Sequence, residues 1–169
     1  MRNINKYNEF NSYFDNLFSN IQEGLNNPIP VNWEKSDDLW IGNFDIDTTN
    51  YEITIENISK KQSIFLFKFT ANNSYELLSD VKKSFSTIPT IKKAAIDFIS
   101  EKNPDAFLFF ASDNSNSRKR FYTDFCTQYE QNSNYNYRQF PLDIYVFYTL
   151  YKTLDDKDFN MSINNLIIK

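Results

Sequence analysis

The sequence predicts an α+β fold: a mainly antiparallel, twisted sheet of about six strands with helices packed on it. Three observations carry this. Between Trp40 and Phe69 apolar residues recur at every second position between short polar turns, the pattern of an antiparallel meander. Around that stretch the period changes to three and four, over 3–24, 87–101 and 117–130, as amphipathic helices require. Ala106–Ala111 is an unbroken apolar run of strand length, expected where a strand is covered on both faces. At 169 residues the chain reads as one domain over 1–169, large enough to bury a full core.

The first helix, 3–24, places Ile4, Tyr7, Phe14, Leu17, Phe18 and Ile21 on one face and ends at Gly24, where a C-terminal cap belongs. Two prolines in Asn26–Pro30 force an extended or turning connection. Strands then follow at Trp40–Phe44, at Tyr51–Ile55 and at Ile64–Phe69, the last with Phe65, Phe67 and Phe69 on one face. Over 79–101 the stripe Ile88, Ile91, Ala95, Phe98, Ile99 is helical. Pro89 fits the first turn of a helix starting near Thr87, with looser coil before it, or else kinks a longer helix begun near Asp80; the first option is preferred. Asn103-Pro104 stops it. After the buried strand comes a polar loop over 112–117. The next helix, 117–130, buries Phe121, Tyr122, Phe125 and Tyr129. Asn132–Asn136 is a loop and Leu142–Tyr151 the last long strand. The tail, 155–169, is apolar at Ile163, Leu166, Ile167 and Ile168 and fits a short edge strand.

Composition narrows the chemistry more than any motif does. The chain has two glycines, Gly24 and Gly42, one cysteine, Cys126, and no histidine. Ser-His-Asp and Cys-His nucleophile systems, histidine metal sites and imidazole acid–base steps are therefore excluded. No glycine-rich loop is present to cradle a phosphate. With 17 Phe and 11 Tyr the core should be aromatic, and buried Tyr hydroxyls will need partners. A net charge of −4 disfavours a whole-chain grip on nucleic acid. The first ten residues lack the apolar run of a signal peptide, and no stretch reaches the length of a membrane span; a cytoplasmic protein is expected. The lone Cys126 reads as a small buried hydrophobe.

Two blocks carry a resemblance. The first is Tyr51-Glu-Ile-Thr-Ile followed by Ile64-Phe-Leu-Phe-Lys-Phe. The second runs through Phe85-Ser-Thr-Ile, Asp97-Phe98-Ile99 and Pro104-Asp-Ala-Phe-Leu-Phe-Phe-Ala to Ser117-Arg118 and Phe121-Tyr122. Together with the element order they resemble the Gcn5-related N-acetyltransferase (GNAT) superfamily. More narrowly they resemble an uncharacterised group of phage-encoded proteins of GNAT-like organisation. The resemblance spans residues 44–125, implies a GNAT-like core over 39–154, and leaves out the N-terminal helix and the tail. It implies an acyl-CoA site at the helix after the third meander strand, and a proton donor to the thiolate leaving group at Tyr122. On its own spacing Tyr122 reads first as a core-edge aromatic on the stripe with Phe121, Phe125 and Tyr129. Active members hold the pyrophosphate with a glycine-containing turn, Gln/Arg-x-x-Gly-x-Gly/Ala. The matching stretch here, LSDVKKSFSTI over 78–88, has no glycine, which argues against acyl transfer. Lys82, Lys83 and Arg118 are the residues able to attract a phosphate as point charges.

The remaining candidates have ordinary readings. Arg118-Lys119-Arg120 is the one dense basic cluster; Arg118 is expected to point inward beside Tyr122, and Lys119 and Arg120 to be solvated. Asp45 and Asp47, and Glu52 and Glu56, put carboxylates on one strand face without a third acidic ligand, so no metal site is expected. Trp33, Trp40, Tyr135, Tyr137 and Tyr148 lack a surrounding basic field and read as core or protein-interface anchors, with Trp33 and Trp40 the first candidates for partner contact. The expectation is thus a non-catalytic protein-binding or assembly module, phage- or mobile-element-encoded, without cofactor, acting on a phage or host protein in the host cytoplasm or as a virion component. The alternative is a divergent acyltransferase using acetyl-CoA.

Overall fold

The computed structural model describes residues 28–73 and 81–167; the helix expected over 3–24 lies outside them. Three strands form a meander, β1 (Asn32–Lys35), β2 (Leu39–Ile46) and β3 (Thr49–Asn57), continued by β4 (Ile64–Ala71). Helix α1 (Val81–Lys102) crosses over to β5 (Ala106–Ser112), and α2 (Asn116–Gln131) leads to the hairpin β6 (Asn136–Leu142) and β7 (Tyr145–Tyr151). Helix α3 (Asp156–Ile167) follows. The strands make one seven-stranded sheet in the order β1-β2-β3-β4-β5-β7-β6. Every pairing is antiparallel except β4–β5, which is parallel and needs the α1 crossover for that reason.

Strand alternation sorts the core into two layers. On one face Phe65, Phe67 and Phe69 of β4, Phe107 and Phe109 of β5 and Tyr148 and Leu150 of β7 meet Ile91, Ala95 and Phe98 of α1 and Tyr122, Phe125 and Cys126 of α2. On the other, Ile64 and Leu66, Ala106 and Leu108, and Phe147 are covered by Phe159 and Ile163 of α3. The central strands β4 and β5 are therefore buried on both sides, which explains their unbroken apolar sequence.

Chain reversals are made without glycine. Asp47, Asn72, Asn73, Asn103 and Asp143 all have positive φ, and among the described residues no glycine does. Asn and Asp are the residues that tolerate this left-handed region best after glycine. Asn103 ends α1, its N–H donating to the Ile99 carbonyl at 2.8 Å, and Pro104 follows. Gly42 serves a different need: a Cβ there would lie 2.6 Å from Val31 Cγ1 and 2.7 Å from the Trp33 ring, which rests against it.

Several expectations need correction. Helix α1 already includes Val81, so it does not start near Thr87, and Pro89 sits in its interior. Burial of Ile91, Ala95, Phe98 and Ile99 outweighs the local cost of the proline, and the Thr90 hydroxyl donates to the Ser86 carbonyl at 2.7 Å beside it. Leu142–Tyr151 is not one long strand: Asp143 turns the chain, and Asn136–Leu142, expected in part as loop, is a strand of its own. With β1 this raises the sheet to seven strands. The tail is a helix rather than an edge strand. Phe159, Ile163 and Leu166 share its buried side, and Asp155 caps it by accepting the Asp158 N–H at 2.9 Å.

Two stability measurements check this architecture. Truncating Phe109, packed against Phe67, Phe107, Tyr122 and Phe125, to Ala should cost about 3–5 kcal/mol in a denaturant melt; a loss under about 1 kcal/mol contradicts the placement of β5. Asp155→Ala should cost about 1 kcal/mol through the lost cap.

Candidate functional site

The place to look for a cofactor cleft is where the parallel pair ends. β4 and β5 are in register from Ile64–Ala106 to Phe67–Phe109 and then part, although β4 runs on to Ala71 and β5 to Ser112. In that register the carbonyl of Phe69 would take the N–H of Ser112. It accepts instead from both Nη atoms of Arg118, each at 3.2 Å. The guanidinium also lies 4.0 Å from the centroid of the Phe69 ring. Arg118 is only 4% exposed, so the parting of the strands is filled by a side chain from the first turn of α2.

Tyr122, one turn further along α2, backs this wedge. Its ring stacks on Phe109 at 4.8 Å and packs against Tyr148 at 5.6 Å, leaving it 1% exposed. Burial pushes its phenol from 10.0 up to about 12, while the Arg118 guanidinium, hydrogen-bonded to it, pulls in the opposite direction. Cys126, one more turn along, is fully buried, and burial pushes its thiol well up, so it is an inert core thiol. A cavity of about 270 Å³ opens against Arg118 itself, between Phe110, Ser112, Ser115, Ile144 and Tyr145.

The other predicted residues are scattered. Lys82 and Lys83 belong to the first turn of α1 by backbone, and their side chains lie outside the described residues. Lys119 bonds the Asp113 carbonyl at 2.7 Å, and Arg120, exposed, lies 4.0 Å from Asp124. Trp40 corrects an expectation: at 2% exposure, packed edge-on against Phe98 at 4.8 Å, it belongs to the core and is not a surface anchor. Trp33 is partly buried, its ring 5.5 Å from that of Trp40. Tyr135 and Tyr148 are also core residues. Glu56 pairs with Lys68 across the strands, and Asp45 accepts from Asn50. Among the described residues no three His, Cys, Asp or Glu side chains are placed to hold a metal ion, and no helix is long and apolar enough to cross a membrane.

Sequence reasoning placed Arg118 next to Tyr122 but missed Phe69, whose part is played by its backbone carbonyl and so leaves no trace in the residue pattern. No protein-family model matches the chain, and neither a curated protein nor a solved structure matches it.

Two measurements test this site. Arg118→Met keeps most of the stem but orphans a buried carbonyl, and should cost about 1–3 kcal/mol. Lys119→Met, which removes an exposed contact, should stay within about 0.5 kcal/mol of the parent. Because the folded state raises the Tyr122 pKa, the unfolded chain loses that proton first. Stability should therefore fall as pH rises from 10 towards about 12, and Tyr122→Phe should remove that part of the alkaline loss in urea melts.

Proposed function

We propose that this chain is a non-catalytic protein-binding or assembly module on a degenerate GNAT-like scaffold, encoded by a phage or mobile element. The observation that carries the reading is the filled parting of β4 and β5. An acyl-CoA needs open space between those strands and backbone N–H groups aimed at its phosphates. Here Arg118 occupies the parting and donates to the Phe69 carbonyl, with Phe109 and Tyr122 closing the space behind it. The glycine-free stretch 78–88 supports the same conclusion from the phosphate side.

What supports the GNAT-like scaffold is the element order: a meander, a crossover helix, a strand covered on both faces, a helix, and a strand returning beside it. The phage or mobile-element origin rests on the resemblance of residues 44–125. It carries with it a phage or host protein as partner, the host cytoplasm as location and the virion as a possible destination. Trp33, partly exposed at the sheet edge, remains the aromatic candidate for contact.

One observation favours a second reading, a divergent acyltransferase. Tyr122 stands at the helix after β5, where the superfamily places its proton donor, and the strands do part beside it. Burial argues against that role, since a phenol at 1% exposure cannot reach a departing thiolate without repacking. Titration calorimetry with acetyl-CoA decides between the two. We expect no heat of binding at about 10–100 μM ligand; one-site binding in the micromolar range overturns the non-catalytic reading.

A further inference from the structure

The two edges of the sheet are not equivalent, and the difference points to a partner. Edge strand β6 is guarded. Its pairing with β7 turns the backbone of Tyr137, Gln139 and Pro141 outward. The Tyr137 N–H is already taken by the Glu130 carboxylate at 2.7 Å, and Pro141 has no N–H to offer. A strand added there would find a single free outward donor, on Gln139.

Among the described residues edge strand β1 is open. The Ser36 N–H donates to the Leu39 carbonyl, so in the β1–β2 register Glu34 and Asn32 point their backbone groups at β2. Val31, Trp33 and Lys35 therefore turn theirs outward, and among the described residues these groups have no partner. The edge is also self-complementary. Place a two-fold axis through Trp33 and pair β1 with its own copy, antiparallel. Trp33 then faces Trp33 of the second copy, Val31 faces Lys35, and every outward N–H and C=O meets its complement. On the face away from α1, Glu34 of one copy stands opposite Asn32 of the other, a charge-assisted pair made twice with no like charges opposed. Trp33 rests on Gly42 and Trp40 and so presents a rigid aromatic at the centre of the contact.

We propose that β1 is a self-association edge, through which two copies join their sheets antiparallel about Trp33. A strand this short gives a small interface, so the dimer is weak and concentration-dependent. This does not rest on the non-catalytic reading, and an acyltransferase would dimerise in the same way.

The test is analytical ultracentrifugation of the full chain from about 10 μM to about 1 mM. A monomer–dimer equilibrium is expected. Asn32→Glu puts two carboxylates face to face at both symmetry-related positions and should weaken dimerisation at least tenfold. Asn32→Lys creates two cross-copy ion pairs and should tighten it. Val31→Pro removes an outward N–H while leaving the β2 ladder intact, and should also weaken it. Equal thermal melts of the three variants at low concentration show that the fold is retained. If the parent chain is monomeric throughout, as it would be were its own residues 1–27 to cover β1, the proposal is overturned. Equal dimerisation by the two Asn32 variants overturns it too.

Discussion

The structure depends on burying one parallel strand pair from both sides. β4 and β5 each contribute one set of side chains to the α1/α2 layer and the alternate set to the α3 layer. Parallel strands must be joined by a crossover, and the crossover helix must then be paid for with apolar area. Phe65, Phe67, Phe107 and Phe98 of α1 meet in edge-to-face and tilted contacts, with ring centroids at 4.8–5.8 Å. Such geometry contributes roughly 0.5–1.5 kcal/mol per pair beyond area burial. This explains how α1 tolerates an interior proline.

The same constraint makes the Arg118 wedge necessary. Once β4 and β5 diverge, backbone groups inside the molecule lose their ladder partners, and each left unpaired would cost about 1–3 kcal/mol. A guanidinium has donors enough to serve a carbonyl with two N–H groups and a planar face to lie on an aromatic ring. Arg118 does both with Phe69. In a scaffold where such a parting would admit a cofactor, the protein has filled it from within. That couples the stability of the central sheet to the filling of this gap.

The two edge strands differ by physical means that are easy to name. A carboxylate caps one outward N–H of β6 and a proline removes another. On β1 the comparable groups have no partner among the described residues. Edge protection is normally expected on both sides of an open sheet; among the described residues only β6 shows it.

Much of this was legible in the chain. Alternation determined the meander, because a strand with one face in the core cannot slip by one residue without exposing every apolar side chain. The run Ala106–Ala111 determined a doubly covered strand, and the absence of histidine removed whole classes of chemistry. The α3 helix was missed: Phe159, Ile163 and Leu166 have helical spacing behind a capping Asp155, but the apolar end of the tail reads as an edge strand. Other features were decided by tertiary structure. Pro89 forbids a local hydrogen bond, yet helix α1 continues through it because long-range packing outweighs a local penalty. Trp40 reads the same whether it anchors an interface or fills a core; only Phe98, brought from more than fifty residues away, decides for the core. The wedge was the least legible of all, since one of its two partners is a backbone carbonyl. Every residue has one, and only the divergence of two strands made that of Phe69 need an arginine.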